Sequence, residues 1–223
     1  MTGPTAMPDD PRPGLRTAWL RLLHTAGVTD QTEAVAAQAD ALIDRWSGPT
    51  RHYHDLRHLQ SVLDALDRLT APRHTPVEVA LAAWFHDAVY EGSAGSDEEA
   101  SAVLAERVLA DLGAPPDVVA DVARLIRLTT DHVVAADDET GALLIDADLS
   151  ILGADEATYR RYAADVRAEY AHLDEATFTR GRADVLRRLL AHQPLFRTRR
   201  GHELWQDAAQ RNLTAELARL TLG

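Results

Sequence analysis

The longest apolar run in the chain, Val79 to Phe85, leads directly into a histidine and an aspartate, His86 and Asp87. With its flanks, this segment over 77–90 is apolar nearly all round, which predicts a helix buried on every side. No Lys or Arg lies within ten residues of Asp87 in the sequence. An ionised carboxylate in an apolar setting costs several kcal/mol unless it is paired, protonated or bound to a metal. A distant arginine, a proton or a metal ion must therefore meet Asp87 in the folded chain.

Helical signals follow one another along the rest of the sequence without a strand pattern. Helix starts are marked by capping residues, including a capping box at Asp30 and Glu33, and helix ends by glycines such as Gly113. The chain is long enough, at 223 residues, to bury a substantial core. We predict an all-α fold, a single compact bundle of about ten helices over residues 15–223, behind a disordered proline-rich tail at 1–14.

Three histidines fall within the segment Arg51 to Leu59. His54 and His58 are four residues apart, so on a helix they lie one turn above the other, on the face that continues to Val62. An inward histidine can be a ligand, a catalytic acid or a hydrogen-bonded core residue, and its own position does not decide between these. His52 is offset from that face and is predicted to be exposed.

A second nearly continuous apolar helix, predicted over 143–152, carries Asp146 and Asp148. Two residues subtend roughly 200° on a helix, so the two carboxylates cannot face one point. Asp148 has large apolar neighbours on its own face and is expected to lie deeper. Asp146 is expected to orient a histidine or to cap a neighbouring element.

The inward-facing residues His58, His86, Asp87 and Asp148 make a candidate metal site. Because the chain has no cysteine, any metal must be held by imidazole and carboxylate groups, which suit Mn, Co, Ni, Fe or Zn. We expect a divalent metal ion, one of these or Mg, with one ion per chain favoured and two left open.

The formal net charge of −12 argues against nucleic acid as a partner, because binding to phosphate backbones needs a basic face. An anionic ligand would have to be attracted locally, by a metal ion or by arginines. The sequence has neither a signal peptide nor an apolar run long enough to span a membrane. A cytoplasmic protein is expected, with no membrane association and with a homodimer left open.

Several separated segments resemble the HD-domain superfamily of metal-dependent phosphohydrolases, and more narrowly a bacterial subgroup of predicted HD phosphohydrolases. The resemblance runs from about Leu15 to the C-terminus. It is carried by Arg51-x-Tyr53-His54-x-x-x-His58-Leu59, Ala82-Ala83-Trp84-Phe85-His86-Asp87-Ala88-Val89-Tyr90, Glu98-x-x-Ser101-Ala102 and Asp146-Ala147-Asp148-Leu149-Ser150-Ile151-Leu152-Gly153. It implies that His58, His86, Asp87 and Asp148 are the metal ligands.

The resemblance also implies an activity: hydrolysis of a phosphate ester or phosphoanhydride of a small molecule, with a nucleotide the favoured substrate. Tyr53-His54-Asp55-x-x-His58 is similar to a motif of cyclic-nucleotide phosphodiesterases in which the first histidine protonates the leaving group, so His54 is the candidate general acid. Asp87 and Glu98 are further catalytic candidates, with helix capping as the alternative for Glu98.

Three more residues are candidates for binding the substrate. His132 follows a predicted helix, and in some HD proteins a histidine near this place contacts phosphate or a second metal. Arg167 and Arg182 lie near a stripe of aromatic residues, Tyr159, Tyr162 and Tyr170. Either guanidinium could present two parallel N–H groups to a phosphate.

Two other functions stay open at this stage. A di-iron HD-type oxygenase would need ligands beyond the four, and His132 and His54 would supply them. A non-catalytic metal-binding helical scaffold would keep the site without the reaction.

Overall fold

The computed structural model describes residues 11–29, 32–70, 74–93 and 95–222, and these form ten α-helices with no β-strand among them. The prediction of an all-α fold is therefore confirmed. The helices are α1 (Arg12–Thr25), α2 (Thr32–Trp46), α3 (Leu56–Leu69), α4 (Val77–Phe85), α5 (Ser96–Asp111), α6 (Pro116–Leu128), α7 (Glu139–Asp148), α8 (Glu156–Glu169), α9 (Glu175–Ala191) and α10 (Arg199–Leu222). A 3-10 helix, Leu149–Gly153, continues α7.

The N-terminal boundary differs from the predicted one. Helix α1 begins at Arg12, so the last residues of the predicted tail at 1–14 are helical. The rest of that tail, up to residue 10, lies outside the described residues, and so does the capping aspartate predicted at position 30.

Helix α4 lies at the centre of the bundle and packs against α1, α3, α5, α6 and α7. As predicted from its apolar sequence, it is buried nearly all round. Trp84 meets Trp19 edge to face, with ring centroids 5.3 Å apart, and its carbonyl accepts a hydrogen bond of 3.0 Å from the indole of Trp46. This packing fixes where the end of α4, and the residues that follow it, lie in the bundle.

The predicted helix over 77–90 is too long, because α4 ends at Phe85 and His86 and Asp87 lie on the turn after it. Ser101 of α5 supplies a reason. Its hydroxyl accepts from the Val89 amide at 3.0 Å and donates to the Val89 carbonyl at 3.3 Å, so Val89 has its partners in another helix. Such side-chain partners can replace helical hydrogen bonds.

The helix predicted over 143–152 also has different bounds. It starts earlier because Asp138 caps α7 by accepting a hydrogen bond of 2.9 Å from the Gly141 amide. At Asp148 it tightens into the 3-10 helix, which packs against α10. A Cβ atom at Gly153 would clash with the Cβ of Trp205, so only glycine permits this approach. None of the described helices is long and apolar enough to cross a lipid bilayer.

Candidate metal centre

His58 is placed by the first turn of α3. The helix begins at Leu56 because Asp55 caps it, accepting hydrogen bonds from the amides of Arg57 at 2.8 Å and His58 at 3.4 Å. His58 is therefore helical and buried, with 4% of its surface exposed. His54 precedes the cap and lies on a turn, so the expectation that both histidines share one helix is wrong.

His86 is placed by the turn after α4, and its protonation follows from its neighbour. Its Nδ1 lies 2.8 Å from the carbonyl oxygen of Ala83. A carbonyl only accepts, so Nδ1 carries the proton, and in the neutral ring the lone pair is on Nε2. A histidine that binds a metal commonly has this arrangement.

Asp148, the last residue of α7, completes the cluster. Its Oδ1 lies 3.2 Å from His58 Nε2 and 3.5 Å from His86 Nε2, and the two Nε2 atoms are 3.2 Å apart. Asp87 Oδ2 lies 3.3 Å from His86 Nε2 and 3.6 Å from His58 Nε2. Two imidazole nitrogens and two carboxylate oxygens thus converge from α3, the turn after α4 and the end of α7.

These separations suit a bound metal ion. Ligand atoms about 2.1 Å from one ion lie roughly 3.0–3.4 Å apart. Among the described residues, His58, His86 and Asp148 offer atoms that all lie within 4.8 Å of one another and could hold a metal ion. Asp87 joins them through its contacts with both imidazoles.

The charges of the cluster also favour a cation. Burial opposes the charged form of His86, but Asp87 and Asp148 outweigh it and raise the pKa of His86 well above the usual histidine value. Burial prevails at His58 and lowers its pKa. Burial also opposes ionisation of the two carboxylates, but the surrounding histidines outweigh it, lowering the pKa of Asp87 and, with His132 contributing most, that of Asp148. Both carboxylates are therefore ionised at neutral pH, facing buried imidazoles.

His54 lies beside the cluster, and its partner, Glu169, is not among the predicted site residues. Its Nδ1 lies 2.7 Å from Oε2 of Glu169, the last residue of α8. Its ring also stacks on Tyr90, with centroids 4.2 Å apart, and meets the ring of His58 at 5.6 Å. The imidazole is thus held in one orientation, with Nδ1 directed to a carboxylate.

Glu169 organises the whole segment before α3. Its Oε1 accepts hydrogen bonds from the amides of His52, Tyr53 and His54 at 2.8–2.9 Å, and Oε2 accepts one from the Tyr90 hydroxyl at 3.1 Å. Burial would raise the pKa of Glu169, but these donors, His54 first, lower it to about 2. Burial also opposes the charge on His54, yet its bond to Glu169 and the nearby carboxylates raise its pKa. Glu169 shares a helical spacing with Tyr159 and Tyr162, and a carboxylate among such residues was the signal that could have identified it. The signal for Asp87 was similar, since that carboxylate follows an apolar run.

His132 is the other predicted site residue that the structure brings to the cluster. Its Nε2 lies 3.1 Å from Oδ2 of Asp148, the oxygen that does not contact His58. Its backbone has φ of +57°, in the left-handed region that is uncommon for residues other than glycine. The two oxygens of Asp148 therefore face different histidines.

The structure gives Glu98, Arg167 and Arg182 internal partners instead. Glu98 accepts a hydrogen bond from the Gly95 amide, which is the capping alternative. Arg167 donates to the carbonyls of Tyr170 and Leu173 and pairs with Glu175 on an exposed side. These bonds account for both residues without a substrate.

Arg182 is 8% exposed and forms two hydrogen bonds with Glu216, at 2.8 and 3.1 Å. This is the anionic partner that a buried arginine requires, and it is a side chain of the protein. The guanidinium N–H groups that were predicted to bind phosphate are therefore occupied by Glu216.

Of the two roles predicted for Asp146, orienting a histidine or capping a neighbouring element, the structure shows capping. Although fully buried, it accepts hydrogen bonds from the amides of Arg197 and Thr198, both at 2.8 Å, and from the Thr198 hydroxyl at 2.7 Å. It thereby fixes the start of α10. His52 is exposed, as predicted.

A cleft of about 650 Å³ opens beside the cluster, with His58 and Asp148 in its lining. Residues of α3 and α8 form further parts of its lining, and Leu204 and Trp205 of α10 contribute as well. Its volume lies within the usual range for small-molecule sites. A ligand can therefore approach the two residues from this side.

Comparison of the chain with models of known protein families, with curated proteins and with solved structures found no match. The resemblance to the HD superfamily therefore rests on the sequence motifs alone.

Proposed function

We propose that this chain is a metal-dependent phosphohydrolase that cleaves a phosphate ester or phosphoanhydride of a small molecule, with a nucleotide the favoured substrate. The observation that carries the proposal is the convergence of His58, His86 and Asp148, with Asp87 against both imidazoles, at the edge of a cleft. Imidazole and carboxylate donors suit Mn, Fe, Co, Ni or Zn, and Mn is the ion with which we would begin.

The ligands of the ion would be His58, His86, Asp87 and Asp148. When bound, the metal would lower the pKa of a coordinated water and offset the negative charge of the phosphate. The remaining steps belong to the protein. Water attacks phosphorus and releases a proton to the solvent, and the bond from phosphorus to the leaving oxygen breaks.

The leaving oxygen needs a proton, and in this proposal His54 gives it. Because Glu169 holds Nδ1 at 2.7 Å, the opposite nitrogen, Nε2, is the one left to donate. Glu169 acts through His54, as a positioning residue, in the same way that a buried carboxylate orients a histidine in other hydrolases.

Hydrolysis by the Mn-loaded protein, tested on a panel of nucleotides and phosphate monoesters, is the direct test. We expect Asp87→Ala to reduce turnover by at least about 100-fold, because it removes one of the four proposed metal ligands. Asp207→Ala, at an exposed position of α10, is the matched control and should retain activity. A wild type that cleaves nothing in the panel, or an Asp87→Ala variant as active as the control, would refute the proposal.

The role of His54 and Glu169 has its own signature, the dependence on the leaving group. Nitrophenolate leaves without protonation, whereas an alkoxide does not. Glu169→Gln and His54→Gln should therefore slow alkyl phosphate hydrolysis by about 10–100-fold while changing nitrophenyl phosphate hydrolysis much less. Equal losses on the two substrates would assign Glu169 a structural role only.

One observation favours a second candidate, a di-iron oxygenase. Asp148 directs one oxygen to His58 and His86 and the other to His132, as a carboxylate shared by two ions would. Two irons per chain with oxygen consumption would support this reaction. Metal binding with neither activity would support the scaffold function.

A further inference from the structure

The cleft beside the metal centre extends well beyond it along α3. Arg57, Ser61, Asp64 and Arg68 all line the cleft, at the spacing that places residues on one face of a helix. With a rise of 1.5 Å per residue, Arg68 lies about 15 Å along the helix from His58. A ligand that fills the cleft is therefore elongated, with one end at the metal centre.

Helix α8 also lines this cleft and contributes a third arginine, Arg161. Arg57 lies 3.6 Å from Asp165, and Arg161 is one turn before Asp165 on the same helix. Thr158 and Asp155, still nearer the start of α8, also line the cleft. Arg161 thus lines the cleft from α8, whereas Arg68 lines it from α3.

The carboxylates that line the cleft outside the metal centre already have donors. Asp55 and Asp155 cap helices, Asp165 pairs with Arg57, and Asp64 accepts from Gln60 at 2.8 Å. Neither Arg161 nor Arg68 forms an ion pair with any of the described residues. Two cationic groups therefore face the cleft with their donors available, in a chain whose net charge is −12.

Arg68 is held ready for a ligand by its contact with α10. Its guanidinium carbon lies 5.2 Å from the ring centroid of Trp205. An aromatic face attracts a guanidinium that lies above it and leaves the N–H groups free to bind an anion. Trp205 is itself buried, so the support is rigid.

We propose that the cleft binds a ligand with two separated anionic groups, one phosphate at the metal centre and a second phosphate between Arg161 and Arg68. This inference rests on the proposed function, since it takes the metal centre to bind the first phosphate. It narrows the substrate class to small molecules that carry a second phosphate distant from the one that is cleaved.

Binding of stable phosphonates to the Mn-loaded protein tests this without hydrolysis. Hexamethylene diphosphonate has two anionic ends, and hexylphosphonate, of the same chain length, has one. By isothermal titration calorimetry we expect the wild type to bind the diphosphonate about tenfold more tightly, the size of one charge-assisted contact at an exposed site. Arg161→Gln and Arg68→Gln should each remove most of that advantage.

Arg21→Gln, at an exposed position of α1, is the matched control and should keep the full difference. Equal affinity of the wild type for the two phosphonates, an advantage that survives in both cleft variants, or no binding of either compound would overturn the proposal. Failure of the metal centre would look different: the diphosphonate would keep its advantage while neither affinity depended on Mn. The melting temperatures of the variants should match that of the wild type, since both arginines are exposed.

Discussion

Two clusters of charged residues are buried in this bundle, and they are opposite in kind. In the first, Arg182 and Glu216 are each less than 10% exposed and meet in a two-bond ion pair. Tyr159 donates to the same carboxylate, and the Tyr162 ring and hydroxyl lie against the guanidinium. Every charge there has its counter-charge within the protein.

In the second, two ionised carboxylates, Asp87 and Asp148, face the imidazoles of His58 and His86. The proton on His86 Nδ1 is directed away from the carboxylates, to a backbone carbonyl. The cluster also borders a cleft, whereas the Arg182 pair is not in the lining of that cleft. The burial of charged residues therefore does not by itself identify a functional site. Two imidazoles and two carboxylates that converge on one point at the edge of a cleft are what distinguish the metal centre.

The largest effect should come from breaking the closed cluster. Arg182→Ala leaves Glu216 buried without its counter-charge, and loss of one partner of a buried pair typically costs about 3–5 kcal/mol. We expect chemical denaturation to show a loss of this size in the free energy of unfolding. Affinity for Mn in the folded protein should not change.

A double variant isolates the pairing from the burial. Arg182→Met with Glu216→Leu replaces both charges with apolar groups and should recover most of the stability, because an apolar pair can match a buried ion pair. If Arg182→Ala alone cost less than about 1 kcal/mol, the pair would be no more stabilising than one at the surface.

The open cluster should respond in the reverse way, by gaining stability from a ligand. At a free Mn concentration of 100 times Kd, binding to the folded state alone stabilises by about 2.7 kcal/mol. Thermal denaturation should therefore show a higher melting temperature with Mn in the wild type. His86→Ala and Asp148→Asn should lose the increase, while Arg182→Met with Glu216→Leu should keep it. An equal increase in His86→Ala would mean that Mn binds elsewhere.

The helical class and most of the cluster were predictable from local sequence because they depend on local chemistry. The apolar run before His86 and Asp87 predicts that this segment is buried and that the Asp87 carboxylate needs a cation or a proton. Asp148 was distinguished from Asp146 by the large apolar residues on its face of the helix. Helix ends that depend on other helices were not predictable. Ser101 ends the helical pattern near Val89 from twelve residues away.

The partners of charged residues were the other limit. Glu169 is 115 residues from His54, and Glu216 is 34 residues from Arg182. Because the partners are so far apart in the sequence, no local pattern predicts either pair. Arg182 was predicted to bind the phosphate of a substrate, and the anion that it binds in the structure is the carboxylate of Glu216. Local sequence can thus predict that a buried charged residue has a partner of opposite charge. Which group is that partner depends on the fold.

The smallest of these effects is the pH dependence of the closed cluster. Burial would raise the pKa of Glu216, but Arg182 and then Tyr159 outweigh it and hold the pKa below the usual value. A carboxylate with a lower pKa in the folded state stabilises fully above its unfolded pKa, about 4.3, and this stabilisation is lost as the pH falls through the folded value. The stability lost in Glu216→Gln should therefore be largest near pH 7 and should shrink as the pH falls below about 4. Glu156→Gln, which removes an exposed pair with Arg160, should show almost no such change, because exposed pairs contribute little. A constant difference between wild type and Glu216→Gln from pH 7 to pH 3 would mean that the ionisation of Glu216 contributes nothing to folding.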